Sequence, residues 1–498
     1  MKISKSNRLR WIGGLAVFFA LPVILFYVWL ISVGLWTRWP ATTNYYDQLA
    51  SAFQHGQLYL EQQPDPRLSQ LSNPYDPEIR SGISTPLDIS FYNGKFYLYW
   101  GPVPGLILSV FKPVFPNEIG DIYLVFAILS SIFILEILII LKLRELFFPD
   151  MPTWVISLSI LVAGLAIPYA WMFNNPRVYD VAIGSGQLFF LAGFYLSITT
   201  LSKTTQPAYK LILIGSLWAL TIGSRLTQLL LISFMSLMIF IWITRPYFQG
   251  KATRNAIPLI LAVGMPIAIG SALLGWYNWA RFGSVFETGF NYALAGPYLQ
   301  SFAKEFFLPI YIPQNLYNYL FNPVNIRGTY PFLKSTLGQT APIFSFYTLP
   351  KAYTSDEITG WVYSAPFTFF ALIPIANLIF NARKTKDDSQ RLLNWIIVSL
   401  FGSFIFALTP LLMFFWLSTR YMMDFFPELL LLSIIGFWQG YQLLRQHPVP
   451  RIIYSFIGIA LALVTIIVSN AIGLSSHTAR IRAYNPELWN YLINFFDR

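Results

Sequence analysis

A small set of charged side chains stands beside or between long apolar stretches of this 498-residue sequence. They are the acids Asp47, Asp88 and Asp180 and the cations Arg177, Arg225, Arg281 and Arg420. A carboxylate can take the proton of an attacking hydroxyl group. A guanidinium is planar and always charged, and it matches the oxygens of a phosphate bidentately. These residue types suit proton transfer and the binding of anionic groups.

Other kinds of chemistry lack their residues in this sequence. It has no cysteine, which excludes disulfides, thiolate nucleophiles and Cys-ligated metals. Its three histidines (His55, His447 and His477) are too few and too scattered for a His-rich metal site. No P-loop, G-x-G-x-x-G, G-x-S-x-G or H-E-x-x-H motif occurs, so nothing supports nucleotide chemistry in the cytoplasm.

The composition is that of a membrane protein. Only 11% of the residues are charged and 55% are hydrophobic, whereas a soluble domain is about 25% charged. Apolar runs of spanning length occur at 12–36, 119–141, 154–173, 181–201, 256–276, 361–381, 393–417, 426–444 and 452–472. The sequence therefore predicts an all-α polytopic membrane protein.

One apolar stretch, 211–243, is too long for a single span. As one helix it would measure roughly 50 Å at 1.5 Å per residue, against a bilayer core of about 30 Å. Gly223, Ser224 and Arg225 interrupt it, so we predict two short spans, 211–224 and 226–243. The total becomes about 11 transmembrane helices of spanning or near-spanning length.

Basic residues are concentrated in alternate loops, which predicts the orientation. With a cytoplasmic N-terminus, the inner segments carry Lys2, Lys5, Arg8, Arg10, Lys142, Arg144, Lys203, Lys210, Arg245, Lys251, Arg254, Arg383, Lys384, Lys386, Arg391, Arg445 and Arg451. The net charge of +11 thus reflects topology and not nucleic-acid binding. We predict a multi-pass protein of the cytoplasmic membrane with a transmembrane domain at 1–472 and an extracytoplasmic tail at 473–498.

The long loops, 37–118 and 277–360, then lie on the outer face, where function is expected. In the first loop, Tyr45, Leu49 and Phe53 have helical spacing, which predicts a helix along the membrane surface. Asn93-Gly94 between aromatic runs predicts a β-hairpin. The apolar stretch 106–115 is too short to span and is predicted to be a second interfacial helix.

Several segments resemble a known family. They are Tyr45-Tyr46-Asp47, Asn73-Pro74-Tyr75-Asp76-Pro77, the run from Asn93 to Pro104 (including Tyr99-Trp100-Gly101-Pro102), Tyr277-Asn278-Trp279-Ala280-Arg281-Phe282-Gly283 and Arg420-Tyr421-Met422-Met423-Asp424-Phe425. With a single first helix and a large first outer loop, the chain resembles the GT-C membrane glycosyltransferases, such as the protein O-mannosyltransferases and the lipid A aminoarabinose transferases. It is most similar to largely uncharacterised bacterial members.

The resemblance implies an inverting glycosyltransferase with a GT-C-like fold. Such an enzyme moves a hexosyl or pentosyl group from a polyprenyl-phosphate donor to an acceptor hydroxyl outside the cytoplasmic membrane. The acceptor, whether protein, lipid or polysaccharide, stays open. The family leaves room for a divalent metal, but where many members have two adjacent acids this chain has Asp47-Gln48, so no metal is indicated.

The resemblance assigns Asp47 the role of catalytic base, because the family has an acid just beyond its first span. It gives Asp180 the position of a second acid, and Asp88 is a third candidate. Each acid has a structural alternative. Asp47 could stabilise the first turn of its helix, Asp180 could cap a helix and pair with Arg177, and Asp88 could be a turn residue.

For the donor phosphate, the resemblance favours Arg225 and Arg281, with Arg177 or Arg420. Here too alternatives stay open. Arg225 could only snorkel to the interface, and Arg281 could be an interfacial anchor. Arg420 could form a structural pair with Asp424 one helical turn away.

A transporter or flippase of a lipid-linked sugar is the competing function. It also needs many spans and buried arginines, but inverted repeats and charges on a path to both faces are expected of it. The polar residues here cluster on one face and no internal repeat is visible, which favours the enzyme.

Overall fold

The computed structural model describes residues 5–203, 205–248, 255–296, 298–344, 347–381 and 387–496. Among the basic residues assigned to the inner face, Lys2, Lys251, Arg254, Arg383, Lys384 and Lys386 lie outside the described residues. The end of the predicted tail, 497–498, does so too.

Helices make up most of the described chain. The α-helices are α1 (Lys5–Ile31), α2 (Tyr45–Gln54), α3 (Val103–Phe111), α4 (Asp121–Phe147), α5 (Thr153–Leu165), α6 (Tyr169–Met172), α7 (Val178–Leu201), α8 (Ala208–Ser224), α9 (Leu229–Phe248), α10 (Ile257–Phe282), α11 (Ile312–Phe321), α12 (Trp361–Ser364), α13 (Leu372–Asn381), α14 (Asp388–Leu412), α15 (Phe426–Leu443), α16 (Pro448–Ser476), α17 (Thr478–Tyr484) and α18 (Pro486–Phe496). The strands are short: β1 (Ser90–Tyr92), β2 (Lys95–Tyr97), β3 (Val324–Ile326), β4 (Leu333–Leu337), β5 (Thr354–Ser355), β6 (Glu357–Ile358) and β7 (Trp416–Leu417).

Each predicted span coincides with a helical segment of the structure. Within the described ranges, 8 segments are long and apolar enough to cross a membrane: Gly13–Ile31, Asp121–Phe147, Thr153–Met172, Val178–Leu201, Leu226–Pro246, Ile257–Phe282, Asp388–Leu412 and Pro448–Ser476. Ala208–Ser224 and Pro366–Phe380 are shorter apolar helices. The protein is thus a helical membrane protein, as predicted, while the number of helices that cross stays a prediction.

Helix α15 lies at the centre of the bundle. Every residue from Phe426 to Trp438 is buried. The segment begins Phe-Pro-Glu and otherwise contains few strongly polar groups. Gly436 allows the close approach, because a Cβ there would collide with the carbonyl oxygen of Phe370 in the neighbouring helical turn. A helix that is apolar on every side belongs in the interior, which explains this position.

The predicted break in the stretch 211–243 is present. Helix α8 ends at Ser224, and a 3-10 turn, Leu226–Gln228, leads into α9. The chain at Gly101 packs directly on the carbonyl oxygens of Gly223 and Ser224, where no side chain would fit. At this break, the first long loop therefore packs against the end of α8.

The first long loop has the predicted helix, hairpin and second helix. Strands β1 and β2 pair antiparallel, and Asn93 and Gly94 both have positive φ, as the two-residue turn requires. The N-terminus of α2 is capped from a distance. The Asp121 carboxylate accepts hydrogen bonds from Thr43 Oγ1 at 2.6 Å and from the amides of Tyr45 and Tyr46 at 3.2 Å each.

The second long loop is held in place by buried amide side chains on α11 and at its C-terminal end. Asn315 donates to the carbonyl oxygens of Leu412 and Phe414, each at 2.9 Å, and Asn322 donates to that of Ile358 at 2.8 Å. Strand β5 pairs parallel with β7, which immediately precedes Arg420. These bonds satisfy irregular backbone that is partly buried, and they place residues 354–358 beside residues 415–420.

Candidate functional site

The β-hairpin carries Asp88 at its base. Ser90 pairs with Tyr97, so Asp88 and Tyr99 emerge side by side, and the Tyr99 hydroxyl lies 3.4 Å from Asp88 Oδ1. Asp88 has φ +63°, in the left-handed region that non-glycine residues seldom adopt. Asp is one of the few non-glycine residues that tolerate this conformation in turns, so the turn alternative describes the backbone of Asp88.

Asp180 and Arg177 meet at the start of α7. The backbone amide of Arg177 donates to Asp180 Oδ2 at 3.0 Å, so Asp180 caps its own helix. Its carboxylate is buried, and the charges of Arg420, Arg177 and Asp88 act on it. The capping alternative is therefore real, but it leaves Asp180 among the other charged groups and does not remove it from them.

Arg420 is a further member of this group of charged side chains. Its guanidinium lies 4.1 Å from the centre of the Tyr179 ring, a cation–π geometry, and 3.4 Å from Asp356 Oδ2. About a quarter of its side chain, 24%, stays exposed. We call Asp88, Arg177, Asp180, Asp356 and Arg420 the charge cluster. Its members come from four separate parts of the sequence.

The electrostatic setting of Asp88 suits a proton acceptor. Burial raises the pKa of its carboxyl above the usual value, while Arg177, Arg420 and the Tyr99 hydroxyl oppose the rise. A base whose pKa is moved toward the working pH takes up a proton more effectively. Asp88 is also only half-buried, so an incoming molecule can reach it.

A tyrosine beside the cluster supplies a hydrogen-bond donor. The charges of Asp88 and Arg177 act on Tyr45, which is half-buried. Burial raises the pKa of Tyr45 to about 12, so its hydroxyl stays protonated at neutral pH. It can therefore donate a hydrogen bond to a group that enters the cluster.

Asp47, the predicted base, is paired with a lysine. It is buried, and its Oδ1 is 2.5 Å from Nζ of Lys112, a residue that directly follows α3 and is also buried. Lys112 also donates to the carbonyl oxygen of Asn117 at 3.2 Å. The pair joins the start of α2 to the end of α3. None of the four arginines predicted to bind phosphate is within ion-pair distance of Asp47 in the described chain. The base role of Asp47 stays a prediction.

Arg225 forms an ion pair with Asp424, the residue that the sequence offers as an alternative partner of Arg420. Its Nη2 and Nε lie 2.9 Å and 3.1 Å from Asp424 Oδ2, and Gln228 donates to Asp424 Oδ1 at 3.1 Å. Arg225 and Asp424 are both buried. The predicted alternative of an Arg420–Asp424 pair is therefore wrong, because Asp424 is paired with Arg225 and Arg420 is directed to Asp356. Snorkelling is excluded as well, since the guanidinium is enclosed.

Replacing Arg225 is expected to destabilise the protein. Arg225→Ala would leave the Asp424 carboxylate buried without its partner, at a cost of about 3–5 kcal/mol. The measurement is thermal unfolding in detergent. The double variant Arg225→Leu with Asp424→Leu is the control, because replacing both charges with apolar groups is often close to neutral. A variant Arg225→Ala that unfolds normally but binds donor poorly would instead support the predicted phosphate contact.

Arg281 is occupied by the protein itself. It donates to the carbonyl oxygen of Leu98 at 2.7 Å and to Asn278 Oδ1 at 2.9 Å, and it lies 3.8 Å from the centre of the Tyr277 ring. It is buried, so it is not exposed at the interface as an anchor would be. Its contacts join the end of α10 to the chain that leaves the hairpin, which gives Arg281 a positioning task. The phosphate contact stays a prediction.

The residues present do not form an evident metal site. In the part of the chain that the structure describes, no group of three or more His, Cys, Asp or Glu side chains has the arrangement to hold a metal ion. The charge cluster is therefore described by its side chains alone.

Sequence reasoning missed Asp356. It lies between Ser355 and Glu357 in the second long loop, with no motif to mark it. Only the pairing of β5 with β7, across some 60 residues of sequence, brings it to Arg420. Of the predicted site residues, the structure brings together Asp88, Asp180, Arg177 and Arg420. Asp47, Arg225 and Arg281 each have another partner in the protein.

Comparison with known proteins adds a distant similarity in structure. The chain matches no protein-family model and no curated protein. The crystal structure of an Archaeoglobus fulgidus oligosaccharyltransferase in the apo form is similar with a TM-score of 0.47 and 11% identity, over 96% of this chain and 59% of the other. The same organism's oligosaccharyltransferase AglB, in complex with an inhibitory peptide and a dolichol-phosphate, gives a TM-score of 0.43 with the same identity and coverage.

These values set the limits of the comparison. The chain spans about three fifths, 59%, of the length of the archaeal proteins. At this identity and overlap, the similarity assigns no substrate, partner or residue role. Fold and site together define a polytopic helical membrane protein with a charge cluster where its two long loops meet the helix bundle.

Proposed function

We propose that this protein is a membrane glycosyltransferase of GT-C type that transfers a sugar from a polyprenyl-phosphate donor to an acceptor hydroxyl, with inversion at the anomeric carbon. The observation that supports this most is the charge cluster. It combines a half-buried carboxylate of raised pKa, Asp88, with two partly accessible guanidiniums, Arg177 and Arg420. The motif resemblance supports the same class of reaction.

In the proposed reaction, the acceptor oxygen attacks the anomeric carbon while the bond from that carbon to the phosphate oxygen breaks. The bonding electrons leave with the polyprenyl phosphate, and the hydroxyl proton passes to Asp88. Arg177 and Arg420 stabilise the charge that accumulates on the departing phosphate. Asp180, held by the start of α7, orients these arginines. The catalytic base is thus moved from Asp47, whose carboxylate holds Lys112.

The proposal also includes the arrangement in the membrane. The charge cluster would lie at the extracytoplasmic face, as the predicted distribution of lysine and arginine requires, with the N-terminus cytoplasmic and the C-terminus outside. The transmembrane domain would end near residue 472, followed by the tail. The donor's polyprenyl chain would reach the site laterally from the bilayer.

Turnover of a lipid-linked sugar tests the function. Purified protein in lipid nanodiscs is incubated with polyprenyl phosphate carrying a radiolabelled hexose or pentose, together with a mixture of candidate acceptors. We expect release of free polyprenyl phosphate and label in an acceptor, because the cluster is built to cleave that bond. Label that moves between leaflets without cleavage would instead indicate a flippase. If neither occurs with any donor tested, the proposal fails.

A further inference from the structure

The second long loop supplies a counter-charge to Arg420. The segment 354–358 is docked on the chain that precedes Arg420 by backbone bonds, from the amide of Thr354 to Phe415 O at 3.0 Å and from the amide of Asp356 to Leu417 O at 2.8 Å. Thr419 Oγ1 donates to the carbonyl oxygen of Glu357 at 2.9 Å. Asp356 is therefore held by its backbone, and its carboxylate faces Arg420 at 3.4 Å.

This ion pair is built to be exchangeable. The side chains of Asp356 and Arg420 are 33% and 24% exposed, and the distance is at the long end for a hydrogen bond. The buried pair of Arg225 and Asp424 is shorter, at 2.9 Å, and closed to solvent. In the described chain, Arg177 has no carboxylate within ion-pair distance, so the two arginines of the cluster differ in how far they are neutralised.

The charges of donor and product differ, which gives the counter-charge a purpose. A polyprenyl-phosphate sugar is a phosphodiester with one negative charge, whereas the polyprenyl phosphate that leaves is a monoester with about −1.5 to −2. Guanidiniums that stabilise the leaving phosphate therefore hold the product more tightly than the donor. Without an opposing charge, product would accumulate in the site.

We propose that Asp356 is a positioning residue that weakens the hold of Arg420 on the product, so that polyprenyl phosphate can leave. This rests on the function proposed above. Asp356 competes with the phosphate for the same guanidinium, and the more highly charged product is repelled by it more than the donor is. The carboxylate thus lowers the affinity for product more than the affinity for donor.

Asp356→Asn tests this directly. We expect the inhibition constant of polyprenyl phosphate to fall about tenfold, as loss of one nearby repelling charge predicts. The turnover number should fall because product release slows, while kcat/KM for the donor stays level or rises. Loss of a merely structural residue would not tighten product binding while kcat/KM for the donor is maintained, because damage to the site weakens the binding of donor and product alike.

The neighbouring residue provides a matched control. Glu357 has a similar exposure, 32%, and is paired with Lys334 at 3.0 Å instead of with Arg420. Glu357→Gln removes the same charge one residue away and should leave the inhibition constant unchanged. Asp356→Glu should retain the wild-type constant, and Asp356→Ser replaces the Asn variant if that one does not fold.

Direct binding separates this inference from the proposed function. Binding of radiolabelled polyprenyl phosphate to purified protein needs no turnover. Tighter binding to Asp356→Asn, with loss of the difference in an Arg420→Ala background, supports the role of Asp356 even if no donor is cleaved. Unchanged or weaker binding to Asp356→Asn overturns it, whether or not the protein proves to be a glycosyltransferase.

Discussion

Asp88→Asn is expected to lower the rate of sugar transfer by about 10²–10⁴-fold, the usual contribution of a positioned general base. The substitution keeps the size of the side chain and its contact with the Tyr99 hydroxyl, so the protein should fold and insert normally. It removes only the capacity to accept the acceptor's proton. Transfer is measured as label moved from polyprenyl-phosphate sugar to acceptor at saturating donor, with thermal unfolding in detergent as the check on folding.

Asp47→Asn is the matched comparison, because the sequence favours that residue as the base. In the structure it binds Lys112, so we expect this variant to lose thermal stability with a much smaller loss of turnover per folded molecule. If Asp47→Asn abolishes transfer in a well-folded protein while Asp88→Asn is active, then Asp47 is the base, as the family resemblance implies, and Asp88 is not.

The pH profile provides a second check on Asp88. The base must be ionised to work, and burial raises its pKa. Activity should therefore fall on acidification, with a midpoint above that of an exposed aspartate, whose pKa is about 3.9. The acid limb belongs to Asp88 if it disappears from the residual activity of Asp88→Asn.

Arg420→Ala is expected to reduce kcat/KM for the donor by about 10²–10³-fold, as removal of one group that stabilises transition-state charge does. The loss should be larger than that caused by Arg420→Lys, which retains the charge but not the planar fork. Because the Arg420 charge lowers the pKa of Asp88, its removal should also move the acid limb of the pH profile upward.

Arg67→Ala is the control for this variant. Arg67 is an exposed arginine of the first long loop, paired with Asp65 at 2.6 Å, and lies outside the cluster. It should transfer sugar at the wild-type rate. Equal losses in the two variants would show that general surface charge, and not Arg420, governs the use of the donor.

The local elements were predictable because each depends on a short stretch of sequence. Long apolar runs place helices in a membrane whatever their neighbours are. Asn93-Gly94 marks the hairpin because both residues tolerate positive φ. The interruption at Arg225 also follows from the mismatch between a very long apolar stretch and the thickness of a bilayer.

The pairing of charges was not predictable in this way. Arg225 and Asp424 are separated by 199 positions, and Arg420 and Asp356 by 64. Proximity in sequence suggested Arg420 with Asp424, but the backbone between them forms a 3-10 turn and directs the two side chains to different partners. A charged side chain in a poorly hydrated interior pairs with the opposite charge that tertiary packing places next to it.

Composition and periodicity were thus sufficient to predict a helical membrane protein and its main segments, and the family resemblance supplied the candidate site residues. Tertiary packing decided which of those residues meet. It assigned Asp47 to Lys112, Arg225 to Asp424 and Arg281 to backbone carbonyl oxygens, and it left Asp88, Arg177, Asp180 and Arg420 together with the unexpected Asp356. The physical reason is how far apart in the sequence the interacting residues lie. Burial of apolar surface can be predicted from residues that are neighbours in the sequence, whereas an ion pair depends on contacts between segments far apart in the chain.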